Sequence, residues 1–174
     1  IFGLVFSFLI LLAGGFWFYE EQENSTLQEE QENLLVTAQL KANQIINWQG
    51  ERISDGRVIM EDPLFIHGVE DWIADPNAGN LDPILARLNS IRENYQYANI
   101  LLADTSGQVL INLSDSPGML HSETLQVLEQ ALKERQVTPT ELYLHSVDQG
   151  EYMDLVVPLF SGGSEPSTPI GAVI

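Results

Sequence analysis

The side chains best suited to chemistry lie on two neighbouring segments that the alternation of residue types predicts to be strands. In the second segment, Tyr152–Phe160, the acid Asp154 alternates with Tyr152 inside an otherwise apolar run. Successive side chains of a strand point to opposite faces, so we expect one core face and one polar face. The core face comprises Met153, Leu155, Val157 and Leu159. A carboxylate on the other face must either reach solvent or meet a donor such as a ligand amine.

Three further side chains are predicted to lie near Asp154, where they would border a ligand cavity together with it. Tyr143 and His145 share one face of the preceding predicted strand, Glu141–Val147, and Arg92 lies on a predicted helix that enters the sheet. An arginine can clamp a carboxylate with two parallel hydrogen bonds. Each residue also has a simpler explanation, because aromatic residues on strands commonly pack and arginines commonly pair with acids of their own protein. The predicted ligand-binding residues are Arg92, Tyr143, His145, Tyr152 and Asp154.

No pattern in the sequence predicts a metal, cofactor or catalytic site. The histidines His67, His121 and His145 are dispersed and there is no cysteine, which argues against a zinc site. Asp104-Thr-Ser-Gly107 lacks the alternating acids of a calcium-binding loop and is typical of a turn. The run Ser161–Ser164 lacks the Gly-x-Ser-x-Gly pattern of a serine nucleophile. We therefore expect no catalytic residue, no metal and no cofactor.

The charge of the chain restricts its partners. Its 25 acidic and 7 basic residues give a formal net charge of −18 at pH 7. A surface this acidic repels the phosphates of nucleic acids and of anionic lipids. Nucleic acid is therefore excluded as a partner. We expect a small-molecule ligand, such as an amino acid or a carboxylate, or a periplasmic protein.

The segment Ile1–Tyr19 is an uncharged apolar run that ends in four aromatic residues. Its length approaches the about 20 residues that a helix needs to cross a bilayer. Acids, including Glu20 and Glu21, follow it directly, and no basic residue precedes Lys41, whereas cytoplasmic flanks are rich in lysine and arginine. We therefore expect a transmembrane helix in the inner (cytoplasmic) membrane, with the residues after 20 extracytoplasmic. A cleaved signal peptide, the alternative, has a shorter apolar region and a small-residue cleavage site.

The rest of the chain predicts helices first and strands afterwards. From Leu27 to Met60, apolar residues at three- and four-residue steps predict a long amphipathic helix. Its narrow apolar stripe favours pairing with a second copy, in a homodimer. Shorter helices are predicted at Pro63–Ala74, from Asp82 as the capping residue, and at Glu123–Arg135.

The predicted strands begin with a tight hairpin around the turn at residues 104–107 and continue with segments 141–147, 152–160 and 170–174. The fold class is therefore α+β. It comprises an N-terminal transmembrane helix continuing into a long amphipathic helix, and then an antiparallel sheet with flanking helices. The predicted domains are a transmembrane helix at 1–19, a membrane-proximal helix at 20–60 and an α+β domain at 61–174, which we expect to be truncated at its C-terminal end.

This order of elements resembles the extracytoplasmic Cache (PAS-like) sensor domains of bacterial signalling receptors. Ala98–Asn112 is similar to the family's strand, aspartate-glycine turn and strand, and Ala42–Met60 is similar in style to its long helix. Tyr152–Ile174 is similar to its terminal strands, with Pro158 and Gly171 between them. The resemblance implies a ligand held between one face of the sheet and the helices and loops packed across it. It also implies an output module outside this chain, such as a histidine kinase, a diguanylate cyclase or a chemotaxis module.

The expected function is an extracytoplasmic ligand-sensing module of a transmembrane receptor, without enzymatic activity of its own. Because the chain opens without methionine and closes inside an apolar run, we expect it to be a piece of a larger protein. Two other classes stay open. Pilin-like filament subunits also begin with an apolar helix, but they typically carry a glutamate at the fifth position, where this chain has Val5. A membrane-tethered enzyme is the third class, because catalytic sites assemble in space and need no motif.

Overall fold

The computed structural model describes residues 3, 33–77, 79–114, 118–144, 150–162 and 167–174. The chain divides into two compact units between Trp48 and Gln49. The first helix, α1, covers residues 33–60, and its residues 49–60 belong to the same unit as the sheet. Gly56 permits this packing, because a Cβ atom there would lie 2.8 Å from a methyl carbon of Val137 and 3.0 Å from one of Val157.

Three shorter helices follow: α2 at Pro63–Ala74, α3 at Asp82–Tyr95 and α4 at Ser122–Glu134. The predicted bounds of α2 are confirmed, because the Asp62 carboxylate accepts hydrogen bonds from the backbone N–H groups of Leu64 and Phe65 and so caps the helix. The predicted cap of α3 is wrong. Leu81 occupies the cap position without a side-chain hydrogen bond, and Asp82 is the first helical residue. There the negative charge of Asp82 interacts favourably with the positive end of the helix dipole.

Five strands form one antiparallel sheet. They are β1 at Leu101–Ala103, β2 at Val109–Asn112, β3 at Thr138–Pro139, β6 at Leu155–Phe160 and β7 at Pro169–Val173, and they lie in the order β2-β1-β7-β6-β3. Two short strands, β4 at Tyr143–Leu144 and β5 at Glu151–Tyr152, form a separate ladder. The α+β class with an antiparallel sheet is therefore confirmed. The predicted strand at 152–160 is divided, because Met153 and Asp154 belong to neither β5 nor β6.

The sheet is covered by helices on both faces. On one face, Leu102, Val157 and Leu159 join residues of α1, α2 and α3 in the main core cluster. On the other face, Val156 and Ala172, both fully buried, pack against Leu128 and Ala131 of α4. The predicted alternation along β6 is confirmed. The prediction that the second face is polar is wrong along β6, because α4 covers it.

The predicted tight hairpin between β1 and β2 is confirmed. The Asp104 carboxylate accepts hydrogen bonds from the backbone N–H groups of Ser106 at 2.8 Å and Gln108 at 2.9 Å. Gly107 has φ +86°, which a residue with a Cβ atom rarely adopts. Burial opposes ionisation of Asp104, but the hydrogen bond from the Ser106 hydroxyl at 2.7 Å, together with these backbone hydrogen bonds, outweighs it and lowers the pKa of the carboxyl below its ordinary value.

Within the described residues, no helix is both long and apolar enough to cross a membrane. This finding corrects the predicted fold with a transmembrane helix and the predicted location in the inner membrane. At ~1.5 Å per residue, α1 is long enough at about 40 Å. Polar and charged residues such as Lys41, Glu51 and Arg57 interrupt its apolar positions. The segment Ile1–Tyr19 lies outside the described residues except for Gly3.

Candidate functional site

A cavity of about 390 Å³ opens where α1 ends and α2 begins. Its volume lies within the roughly 300–1,000 Å³ that small-molecule sites occupy. Met60 is the last residue of α1 and Pro63 the first of α2, and both line the cavity. The lining is completed by Glu61, Ile66, Arg135, Phe160, Ser161, Gly162 and Ser167. Apolar, cationic and anionic groups therefore meet in one space.

The cation of this cavity, Arg135, is held in place by neutral groups. Its guanidinium carbon lies 4.0 Å from the centroid of the Phe160 ring, a cation-π contact. Nη1 donates to the backbone carbonyl of Ser167 at 3.1 Å, and Nη2 donates to the hydroxyl of the same residue. None of the ion pairs between described residues includes Arg135. No described carboxylate neutralises its charge, so it can attract an anionic ligand.

Ser161, at the edge of the cavity, is held by hydrogen bonds to Thr168. Ser161 is 7% exposed, and its backbone N–H donates to the carbonyl of Thr168 at 2.8 Å. Its hydroxyl accepts a hydrogen bond from the Thr168 backbone N–H at 3.0 Å and lies 3.0 Å from the Thr168 hydroxyl. These bonds position Phe160 beneath the Arg135 guanidinium.

A second polar cluster surrounds Asp154, immediately before β6. Thr124 in the first turn of α4 is fully buried and donates its hydroxyl to Oδ2 at 2.5 Å. The Tyr143 hydroxyl lies 2.9 Å from both carboxylate oxygens. The backbone N–H of Asp154 donates to Thr140 Oγ1 at 2.9 Å, and the Thr140 N–H donates to the Asp154 carbonyl at 2.8 Å. The chain itself thus supplies donors of the kind expected from a ligand.

Tyr143 acts in this cluster as a hydrogen-bond donor. Burial, and then the negative charge of Asp154, raise the pKa of the Tyr143 hydroxyl well above its ordinary value. The hydroxyl therefore stays protonated at neutral pH. The His121 ring packs beside it, with ring centroids 5.0 Å apart. The cluster joins α4, β4 and the residue before β6 through hydrogen bonds.

The structure brings together three of the five predicted ligand-binding residues. Tyr143 and Tyr152 are directly opposite each other in the β4-β5 ladder, and Tyr143 contacts Asp154. Arg92 lies elsewhere, because its Nη1 donates to the carbonyl of Leu113 at 2.7 Å, just after β2, and β2 is at the opposite edge of the sheet from β3. His145 lies outside the described residues.

A further cluster centred on Arg52 was not predicted. The Arg52 guanidinium carbon lies 5.1 Å from the Tyr95 ring centroid and 5.9 Å from that of Tyr97. Its Nη2 is 3.1 Å from Asp55 Oδ2. Burial raises the pKa of Tyr97, although the positive charge of Arg52 opposes this. The ion pair with Asp55 neutralises Arg52. The cluster is therefore better explained by packing of α1 against the end of α3 than by ligand binding.

Sequence reasoning also missed the cavity and Arg135. The only signal for Arg135 was its position at the end of a predicted helix. Its partners Phe160 and Ser167 lie 25 and 32 residues away, so no local spacing indicates the contacts. In the part of the chain that the structure describes, no group of three or more histidine, aspartate or glutamate side chains is placed to hold a metal ion.

No family model matches the chain. Part of it is similar to the phosphonates import ATP-binding protein PhnC of Mesoplasma florum, at 33% identity over 99 residues. The matched region is 57% of this chain and 35% of that protein, so the chain spans about a third of its relative's length. The sequence contains no Gly-x-x-x-x-Gly-Lys-Ser/Thr phosphate-binding motif. This similarity is too short to assign the chain to a family.

Proposed function

We propose that residues 49–174 form a ligand-sensing module that binds a small carboxylate-bearing molecule and thereby biases the position of α1. The observation that carries this proposal is the wall of the cavity, which is formed in part by Met60 at the end of α1 and by Glu61 after it. A ligand that fills the cavity contacts the end of the helix directly. Such contact provides the differential affinity through which a ligand can shift an equilibrium between two conformations.

The charges of the cavity favour a ligand that carries both signs. Arg135 supplies a cation, which can bind a carboxylate through charge-assisted hydrogen bonds. Glu61 supplies an anion on the same lining, and no ion pair between described residues joins the two. Met60, Ile66 and Phe160 add apolar surface for a side chain. Among small carboxylates, an amino acid matches this combination.

One further observation supports a sensor module. The antiparallel sheet has helices packed across it, as the resemblance to Cache domains implied. The cluster at Asp154 is the alternative ligand site, but its carboxylate already accepts hydrogen bonds from Thr124 and Tyr143. The cavity at Arg135 has room for a ligand and a guanidinium that no carboxylate among the described residues pairs with, so it is the better candidate.

Thermal unfolding of the full chain tests the proposal, in the presence of each of the twenty L-amino acids and of acetate, succinate and citrate. We expect at least one compound to raise the Tm. Arg135→Gln should weaken its binding by tenfold or more, since a lost charged hydrogen bond costs about 1.5–3 kcal/mol.

Lys133→Gln is the matched control, because it removes the same charge from the exposed part of α4 without altering the lining of the cavity. We expect it to leave the affinity unchanged. The proposal is overturned if no compound raises the Tm, or if both variants weaken binding equally.

A further inference from the structure

The hydroxyl group of Ser167 has a proton that no described residue accepts. Arg135 donates through Nη2 to the oxygen of this hydroxyl and through Nη1 to the backbone carbonyl of the same residue. A guanidinium has only donors, so the hydroxyl cannot return its proton to Arg135. None of the hydrogen bonds between described residues has the Ser167 hydroxyl as its donor. The proton is therefore available to a ligand.

The two residues together offer a pair of donors at the cavity. Arg135 and Ser167 both line it, and the bond between them places the hydroxyl next to the guanidinium. A hydroxyl that accepts a hydrogen bond is polarised and becomes a stronger donor. A carboxylate has two acceptor oxygens and no donor. One of its oxygens can therefore bind the Arg135 guanidinium while the other accepts the proton of Ser167.

The charges around the cavity favour a carboxylate in a molecule without net negative charge. Arg135 is the only cation among the described residues that line the cavity, and Glu61 lies on the same lining. A second carboxylate would meet no cation there, and it would be repelled by Glu61 and by the formal net charge of −18. A zwitterion avoids this repulsion, because its ammonium group balances its carboxylate and can pair with Glu61.

The rest of the lining indicates what side chain such a zwitterion carries. Four of the nine described lining residues have apolar side chains, namely Met60, Pro63, Ile66 and Phe160. An apolar ligand side chain gains free energy when it is removed from water against this surface. A charged side chain would lose hydration there without a partner. An apolar amino acid therefore matches the cavity better than an acidic one.

We propose that Ser167 is a binding residue of the cavity, and that it donates its hydroxyl proton to the α-carboxylate of an apolar amino acid whose other oxygen binds Arg135. This inference rests on the proposed ligand-binding function, and it adds a second carboxylate donor and a narrower class of ligand. An α-carboxamide has one acceptor oxygen and an NH2 group that only donates. It cannot satisfy both donors, so Ser167 should discriminate between an amino acid and its amide.

Calorimetric titration of the full chain with L-leucine, L-methionine and L-phenylalanine, and with the α-carboxamide of each, tests this discrimination. We expect at least one of the amino acids to bind. Ser167→Ala should weaken its binding fivefold or more and that of its carboxamide less than twofold. Ser54→Ala is the matched control, because the Ser54 hydroxyl bonds to the Gly50 carbonyl within α1 and does not line the cavity. It should change neither affinity.

A double variant separates direct binding by Ser167 from a role in positioning Arg135. If Ser167 binds the carboxylate itself, Ser167→Ala should still weaken the amino acid threefold or more in the Arg135→Gln background, whereas a residue that acts only through Arg135 would lose its effect there. The inference is overturned if none of the three amino acids binds, if Ser167→Ala and Ser54→Ala act alike, or if Ser167→Ala has no effect in the Arg135→Gln background. The ligand-sensing proposal is decided separately, by the wider thermal-unfolding screen and its Lys133→Gln control.

Discussion

At the residue scale, Asp154 is the point where α4, β4 and the start of β6 are joined. Its carboxylate accepts the hydroxyl protons of Thr124 and Tyr143, and its backbone pairs with Thr140. Thr124 is fully buried, so without its acceptor the hydroxyl would have no water to replace the lost bond. A buried polar group left unpaired destabilises the fold more than the bond itself stabilises it.

We therefore expect Asp154→Ala to lower the free energy of unfolding by about 1–3 kcal/mol. Glu151→Ala is the control, because Glu151 is exposed in the adjacent strand, and ordinary surface substitutions change stability by under about 0.5 kcal/mol. Urea denaturation of the two variants and the wild type measures the difference. Equal and small effects would show that Asp154 simply faces solvent.

Tyr143 should make stability depend on pH in the alkaline range. Its pKa in the folded chain is raised above the ordinary value of about 10, so the folded state holds this proton more tightly than the unfolded state. The stabilisation is fully present below pH 10 and is lost as pH rises through the folded pKa. We expect the wild type to lose more stability than Tyr143→Phe between pH 9 and pH 11. Denaturation curves at each pH measure this difference. Equal losses of stability in the two proteins would show that the pKa of Tyr143 is not raised.

At this scale the sequence indicates a residue's face but not its partners. Alternation correctly placed Asp154 and Leu155 on opposite faces, since the Asp154 carboxylate contacts Thr124 of α4 and Leu155 packs against the main core cluster. The donors Thr124 and Thr140 lie 30 and 14 residues away, and no periodicity connects them to Asp154. Arg92 lies away from Asp154 for a related reason, since its contact with the Leu113 carbonyl depends on the packing of α3.

At the element scale, the helices α3 and α4 end in the same way. Gln96 after α3 and Arg135 after α4 both have φ +57°, and the backbone N–H of each bonds to the last turn of its helix. This left-handed conformation costs a residue with a Cβ atom about 1 kcal/mol or more relative to glycine. Gln96 shows that the conformation alone indicates no function, because it makes none of the contacts that Arg135 makes in the cavity.

The pair of caps gives a matched test. We expect Gln96→Gly to raise the free energy of unfolding by up to about 1 kcal/mol, because glycine relieves the left-handed conformation, and the greater freedom of glycine in the unfolded chain offsets only part of this gain. Arg135→Gly should gain much less, because it also loses the contacts with Phe160 and Ser167. Thermal and urea unfolding measure both. An equal gain in the two variants would show that the Arg135 contacts contribute nothing to stability.

Elements with strong local signals were predictable, and those without were not. Asp104 with Gly107 indicated the hairpin, because turn formation acts within a few residues. The Asp62 cap of α2 acts over an equally short range. The split between β5 and β6 was not predictable, since it depends on Asp154 turning toward Thr124 and Thr140. The burial of β6 beneath α4 likewise depends on tertiary packing.

At the scale of the whole molecule, the cavity is assembled from parts that are remote in the sequence. The end of α1, the start of α2, the cap of α4 and the segment after β6 each contribute to its lining. Nothing local marks these residues as neighbours, and this is why the sequence pattern placed the expected ligand beside Asp154 and gave no indication of this cavity. The filament-subunit and enzyme alternatives stay predictions, since no described contact favours either one.

Hydrogen exchange of the full chain, followed by mass spectrometry with and without millimolar L-amino acids and small carboxylates, tests the proposed cavity most directly. We expect a binding compound to slow amide exchange in the last turn of α1, the first turn of α2 and residues 160–162. Exchange around Thr124 and Asp154 should be unchanged. The proposed site would be contradicted if exchange at the end of α1 did not respond to any compound, or if protection appeared only around Asp154.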